Sequence, residues 1–207
     1  MDPKVKNILE WVVCVIVAII LALVIRYFIG TPTVVESSSM HPTLIEGQRL
    51  IISRLGRIVK PTYERGEIIT FEAPEMVYNN LSSDSTVATF HKTSNFFEDF
   101  SYYFLEIGKT SYIKRVIGLP GEHIKIEDGK VYINGEELDE PYLKDSVETN
   151  RTGTFYDLVV PEDTLFVMGD NRDSSKDSRS FGCIPMDKIE SKVWIRFWPF
   201  NLFGEVK

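Results

Sequence analysis

Every residue from Trp11 to Ile25 is apolar, and Ile8, Leu9, Tyr27, Phe28 and Ile29 extend the run past Glu10 and Arg26. At ~1.5 Å per helical residue, residues 8–29 reach about 30 Å, the thickness of a bilayer core. The pattern predicts one transmembrane helix whose two charges sit at its ends, within reach of the interface. A cleaved signal peptide would have a shorter apolar region ending in small residues, whereas this run ends in Arg26-Tyr27-Phe28-Ile29. Lys4 and Lys6 bias residues 1–7 toward the cytoplasm, which would leave residues 30–207 on the outer face.

After the helix the period changes. Arg49-Leu50-Ile51-Ile52-Ser53, Glu67-Ile68-Ile69-Thr70-Phe71 and residues 111–117 are short, rich in β-branched side chains and bounded by turn residues, as strands are. Ile124-Lys125-Ile126, then Asp128-Gly129, then Val131-Tyr132-Ile133 predicts a hairpin, and Asn134-Gly135 predicts a second turn. Thr164-Leu165-Phe166-Val167-Met168 and Lys192-Val193-Trp194-Ile195-Arg196-Phe197 add two more strands. The expectation is a mainly antiparallel β domain over 30–207, with a small hairpin-rich subdomain at 120–160. One stretch departs from it. Phe96, Phe97, Phe100, Tyr103, Phe104 and Ile107 share one face of a helix predicted over 94–107, with Ser94 as its cap and Gly108 as its stop. That face could cap the β core, or it could lie in the membrane interface or border a site. The C-terminal aromatics Trp194, Phe197, Trp198, Phe200 and Phe203 carry the same two readings, core or interfacial belt.

The chain of 207 residues has room for one ordinary domain besides the helix. Its net charge of −7 argues against a nucleic-acid partner, which requires a basic face. Lys4, Lys6 and Arg26 against Asp2 and Glu10 give residues 1–29 a balance of +1, so the remainder carries −8. Cys14 lies inside the apolar run, so a bridge to Cys183 is not expected, and no zinc spacing or nucleotide motif occurs. No cofactor or metal is implied.

Candidate chemistry concentrates just behind the helix, in Ser37-Ser38-Ser39-Met40-His41-Pro42-Thr43-Leu44. A serine needs a base before it attacks a carbonyl, and a desolvated lysine can be that base. Lys114, within the apolar strand Tyr112-Ile113-Lys114-Arg115-Val116, is such a lysine, although a lone strand lysine is otherwise a snorkelling surface residue. To act near neutrality its pKa must fall about 2–3 units below ~10.4, roughly 3–4 kcal/mol against the ammonium. His41, His91 and His123 raise a Ser–His–Asp alternative, but no Gly-x-Ser-x-Gly elbow accompanies them. Cys183 reads as a small buried residue.

Three segments occur in order: Ser39-Met40-His41-Pro42-Thr43-Leu44, then Tyr112 to Gly121, then Gly169-Asp170-Asn171-Arg172-Asp173-Ser174-Ser175-Lys176-Asp177-Ser178-Arg179. Together, behind a single N-terminal helix, they closely resemble the type I signal peptidases (leader peptidases) of the Ser–Lys dyad type, most of all the Gram-positive bacterial branch. The resemblance covers most of residues 8–74 and 111–200. It implies a membrane-bound serine endopeptidase that removes N-terminal signal peptides from exported preproteins, cutting after small residues at −1 and −3. It assigns Ser39 as nucleophile and Lys114 as general base, with an oxyanion hole from the Ser37 hydroxyl and the Ser39 N–H. Ser175 is implied to orient the lysine amine, Asp170 to pair with Arg115, and Asp177 with Arg179 to fix the loop. Val35, Met40, Leu44, Tyr112 and Ile113 match or flank the substrate pockets. The implied partners are secretory preproteins delivered by the export machinery, and the lipid bilayer.

Two features depart from the pattern. Segment 75–111 is longer and more aromatic than expected, and Glu36 puts a charge beside Ser37 at the pocket rim. Two rival functions remain. A Ser–Lys peptidase of the self-cleaving repressor type would carry a DNA-binding domain and no anchor. A non-catalytic tethered β domain that binds exported chains would not need both Ser39 and Lys114.

Overall fold

A computed structural model describes residues 3–28, 30–57, 62–75, 86–92, 94–104, 106, 108–144, 147–151 and 153–206. The apolar run forms α1 (Pro3–Phe28). Over Lys4–Tyr27 it has a mean hydropathy of 3.1 with none of its most apolar stretch buried, so it is long and apolar enough to cross a membrane.

Two antiparallel sheets follow. The larger is ordered β1 (Gly30–Val34), β2 (Arg49–Ser53), β11 (Ile189–Trp198), β3 (Ile68–Glu72), β4 (Ser111–Gly118), β9 (Thr164–Met168) and β10 (Ile184–Pro185), with β12 (Gly204–Glu205) on β11. The smaller is ordered β7 (Glu136–Glu137), β6 (Lys130–Ile133), β5 (His123–Glu127) and β8 (Asp157–Val159). Alternation is clean where one face meets water: in β5, Ile124 and Ile126 are buried between half-exposed neighbours. β3 and β9 are buried throughout, β9 as its apolar run implies and β3 with Thr70 and Glu72 buried among its apolar residues. Asp128 and Asn134, both at positive φ, turn the two hairpins where Asp-Gly and Asn-Gly were expected to.

Among the described residues, two neighbouring strand edges stay unpaired: β1 pairs with β2 on one side only, and β9 pairs with β4 from Arg115 onward. The unpaired edges of β1 and of residues 111–114 of β4 border one cavity of about 840 Å³. Beneath the near end lies a core cluster of Val35, Met40, Leu44, Leu50, Ile52 and Ile68.

The helix expected over 94–107 is shorter and less regular. It runs as α2 (Phe96–Asp99) and continues as a π-turn over Phe100–Phe104, while Leu105 and Ile107 lie outside the described residues. Asn95 rather than Ser94 provides the cap: its Oδ1 accepts from the Glu98 N–H, while the Glu98 carboxylate accepts from the Ser94 N–H and hydroxyl. Phe97 and Phe100 are exposed. Residues 86–88 are stitched to the chain just before β10, where Ala88 donates to the Cys183 carbonyl and Cys183 to the Thr86 carbonyl. Among the C-terminal aromatics, Trp194, Trp198, Phe200 and Phe203 are exposed, so they are not core, and Phe197 is half-buried.

Candidate active site

Ser39 sits in a single 3-10 turn, Ser38–Met40, directly after β1 and its extension. Ser37 caps the turn, its Oγ accepting from the Ser39 N–H at 3.2 Å. The turn is pinned from the opposite side: Asn171 donates its backbone N–H to the Ser39 carbonyl and its side-chain amide to the Ser38 carbonyl, both at 3.1 Å. Met40, fully buried in the core cluster, anchors it from below. Ser39 is buried in consequence, yet it lines the cavity.

Lys114 projects from β4 toward this turn. Its Nζ lies 2.8 Å from Ser39 Oγ and donates to the Ile113 carbonyl at 2.9 Å. Burial pushes the ammonium down to about 8, against the upward pull of Asp177 and Asp170. The fraction of this amine that is neutral, within hydrogen-bond reach of a buried hydroxyl, can take that hydroxyl's proton.

Around the pair stands a frame of buried ions, each neutralised. Arg115 grips Asp170 through Nε at 2.9 Å and Nη2 at 2.7 Å, and donates Nη1 to the Gly66 carbonyl. Thr43 donates to the second oxygen of Asp170 at 2.5 Å. Arg179 pairs with Asp177 at 2.8 Å and donates to the Arg172 carbonyl, while Asp177 also receives the Gly169 N–H. Arg172 fastens this loop to the small sheet's side through Glu140 and Thr149.

The structure brings the sequence-predicted residues together, with two differences. Ser175 lies beside the Ser39 carbonyl across Gly169, but its buried hydroxyl makes no hydrogen bond among the described residues. The Lys114 amine is held instead by Ser39 and the Ile113 carbonyl, so the expected Ser175–Lys114 bond is not formed. Among the pocket residues, Val35, Tyr112 and Ile113 line the cavity, whereas Met40 and Leu44 are closed from solvent in the core and shape the cavity only from beneath. Glu36 lines the cavity, as its place beside Ser37 suggests.

Other residues escaped the sequence reading. Asn171 and Arg172, to which the resemblance assigns no role, hold the serine turn and the loop respectively, and Ser174 and Lys176 line the cavity. Gly169 is required by packing, because a methyl group there would overlap the Ser175 hydroxyl and the Ser39 carbonyl oxygen. A glycine opening a polar loop directly after a buried strand was the available signal. The histidines go elsewhere: His41 pairs with Glu46, His91 with Glu75 and Glu98, and His123 with Asp157. Burial raises the Cys183 thiol to about 12, which leaves it inert.

Residues 8–198 match the family model described as "Signal peptidase, peptidase S26". The chain is 34% identical over 212 residues to signal peptidase IB of Staphylococcus aureus (strain COL), covering 96% of this chain and 93% of that protein. It is 35% identical over 213 residues to signal peptidase I P of Bacillus subtilis subsp. natto, covering 99% and 96%. The crystal structure of a signal peptidase I from Enterococcus faecalis V583 matches at 26% identity with a TM-score of 0.40, covering 64% of this chain and 97% of that one.

Proposed function

The chain belongs to the S26 signal peptidase family, hydrolases that remove signal peptides, and from that premise we propose that Ser39 and Lys114 carry the reaction here. The observation that supports the dyad most directly is the 2.8 Å approach of Lys114 Nζ to Ser39 Oγ inside a buried pocket that opens on the cavity. The neutral amine takes the hydroxyl proton as Oγ attacks the scissile carbonyl carbon. The oxyanion of the tetrahedral intermediate accepts from the Ser39 N–H, displacing the Ser37 oxygen now bonded there, and from the Ser37 hydroxyl turned into the cleft. Lys114, now an ammonium, returns the proton to the leaving amine, which departs as the new N-terminus of the mature protein. The acyl-enzyme ester is then hydrolysed by a water that Lys114 deprotonates in the same way.

The two open strand edges favour an extended substrate lying as an added strand between β1 and residues 111–114 of β4. Along a strand the side chains at −1 and −3 point the same way. Val35, Tyr112 and Ile113 line the cavity along that path, over the core residues Met40 and Leu44, and these apolar walls are the ones that would select small groups at −1 and −3. The helix α1 spans the membrane with its N-terminus in the cytoplasm and the β domain on the outer face. Preproteins emerging from the export machinery therefore meet the cleft at the bilayer surface.

The test is cleavage of a preprotein by the purified protein in detergent, with the cut mapped by N-terminal sequencing. Ser39→Ala and Lys114→Ala should each abolish the cut, and the double variant should be little worse than either, because the pair acts as a unit. Substantial activity in folded Lys114→Ala would exclude the dyad.

A further inference from the structure

The covalent link between α1, which ends at Phe28, and β1, which begins at Gly30, is one residue long. β1 borders the cleft, so this link fixes the distance from membrane helix to active site. A covalent connection at one point leaves the angle between helix and domain to be set by contacts elsewhere. A second connection lies in the long segment between β3 and β4. One oxygen of the Glu106 carboxylate lies 2.6 Å from Arg54 Nη2, just past the end of β2, and the other lies 3.3 Å from Arg26 Nη2 in the last turn of α1. The Arg54 side chain is 5% exposed and that of Glu106 18%, so this half is built into the domain, whereas Arg26 at 52% meets it from outside. Tyr27 of α1 and Tyr103 of the π-turn line one shared cavity close by.

We propose that Glu106 is a positioning residue: a two-armed clasp that ties the membrane helix to the β domain and so sets the angle at which a membrane-embedded signal peptide enters the cleft. This rests on the reading of the chain as a membrane-anchored signal peptidase. A preprotein held in the bilayer beside α1 reaches Ser39 only over the domain orientations that align the cleft with it. Locking one orientation raises the effective concentration of the cleavage site. A soluble peptide approaches from any direction and gains nothing from the lock. The clasp also gives the otherwise unassigned segment 75–111 a task.

The experiment compares kcat/KM for two substrates with the full-length protein reconstituted in vesicles. One is a preprotein embedded in the same vesicles, the other a soluble peptide with alanine at −1 and −3. Arg26→Gln is the primary variant, since it leaves the buried Arg54–Glu106 pair intact. It should lower the rate on the embedded preprotein by about fivefold, the scale of a half-exposed ion pair, while the peptide rate stays at wild type. Arg26→Lys should retain both rates; Glu106→Gln, which also strips the buried Arg54 of its partner, should lower the embedded-to-soluble ratio at least as far as Arg26→Gln does, and adding Arg26→Gln to Glu106→Gln should lower it no further. Unchanged embedded-to-soluble ratios in both single variants would overturn the clasp. So would losses that multiply in the double variant, which would mean that Arg26 acts through lipid and not through Glu106. A wild-type protein inert on both substrates would overturn the signal peptidase reading and the clasp with it, an outcome distinct from an active wild type with unchanged ratios.

Discussion

Replacing Lys114 with methionine keeps the length of the side chain and removes its charge, which exposes the cost of keeping this lysine buried. Its pKa falls from an ordinary 10.5 to about 8 in the folded chain, chiefly through burial. The unfolded chain therefore binds the proton more readily than the folded one between those two values. Stability owed to this group rises with pH through that window: the penalty is absent above about 10.5 and complete below about 8. At 1.36 kcal/mol per pKa unit the full penalty is about 3 kcal/mol, and roughly 1.3 kcal/mol of it disappears between pH 7 and pH 9. Lys114→Met should accordingly be the more stable protein at pH 7, with its advantage shrinking by that amount at pH 9. The assay is urea unfolding of both full-length proteins in detergent across pH 7–10. The same pKa sets the acid limb of kcat/KM, which should fall about tenfold from its plateau on going to pH 7. His41→Ala, His91→Ala and His123→Ala should leave that limb in place, since each ring is paired with a carboxylate away from the dyad. A stability difference that stays flat with pH would refute the depressed pKa, and loss of the acid limb in one histidine variant would make that histidine the base.

Asp170→Asn removes a carboxylate that pulls the lysine pKa up and leaves Arg115 uncompensated, so the acid limb should move to lower pH. Melting should reveal the same change as a loss of about 3–5 kcal/mol, the usual cost of breaking a buried pair from one side; an unchanged profile and melting curve would exclude the pairing. Gly169→Ala should displace Ser39 and cost about 100-fold in kcat, checked by activity alongside circular dichroism, because the added methyl meets backbone that cannot yield. Ser175→Ala should lower kcat/KM less than Lys114→Ala does, and an equal loss in a folded protein would give Ser175 a direct part in the reaction.

Much of the architecture was readable because local pattern and final environment agree. The apolar run from Trp11 to Ile25 has one physical solution, and the Asp-Gly and Asn-Gly turns dictate their hairpins. Lys114 is different. Within its own strand it looks like a surface lysine, and only its company with two distant segments marks it out. Arg172 and Asn171 were illegible for a related reason. A polar residue in a polar loop carries no local sign of burial, and here burial is imposed by partners far along the chain, Glu140 and Thr149 for one and the serine turn for the other. The helix after Ser94 followed its apolar period, but the period cannot distinguish an α-turn from a π-turn, and the cap fell one residue later because Asn95 offers the better-placed acceptor.

The arrangement of charge explains how a lysine pKa can be lowered to about 8 in a region crowded with ions. Arg115, Arg172 and Arg179 are among the largest fully buried side chains in the protein, and unpaired they would make the surroundings of Lys114 strongly positive. Each instead meets a carboxylate, from Asp170, Glu140 and Asp177 in turn. Burial then dominates, and the two carboxylates nearest the lysine moderate its effect. With less compensation the buried arginines would drive the amine pKa lower and leave it a weaker base. With free carboxylates nearby the ammonium would persist, and the proposed dyad would lack its proton acceptor. A pKa of about 8 lies between these limits, near the value at which a base is both available and strong enough to act. In the proposed reaction the frame of ion pairs would therefore set the strength of the base, although none of its members touches the reacting atoms.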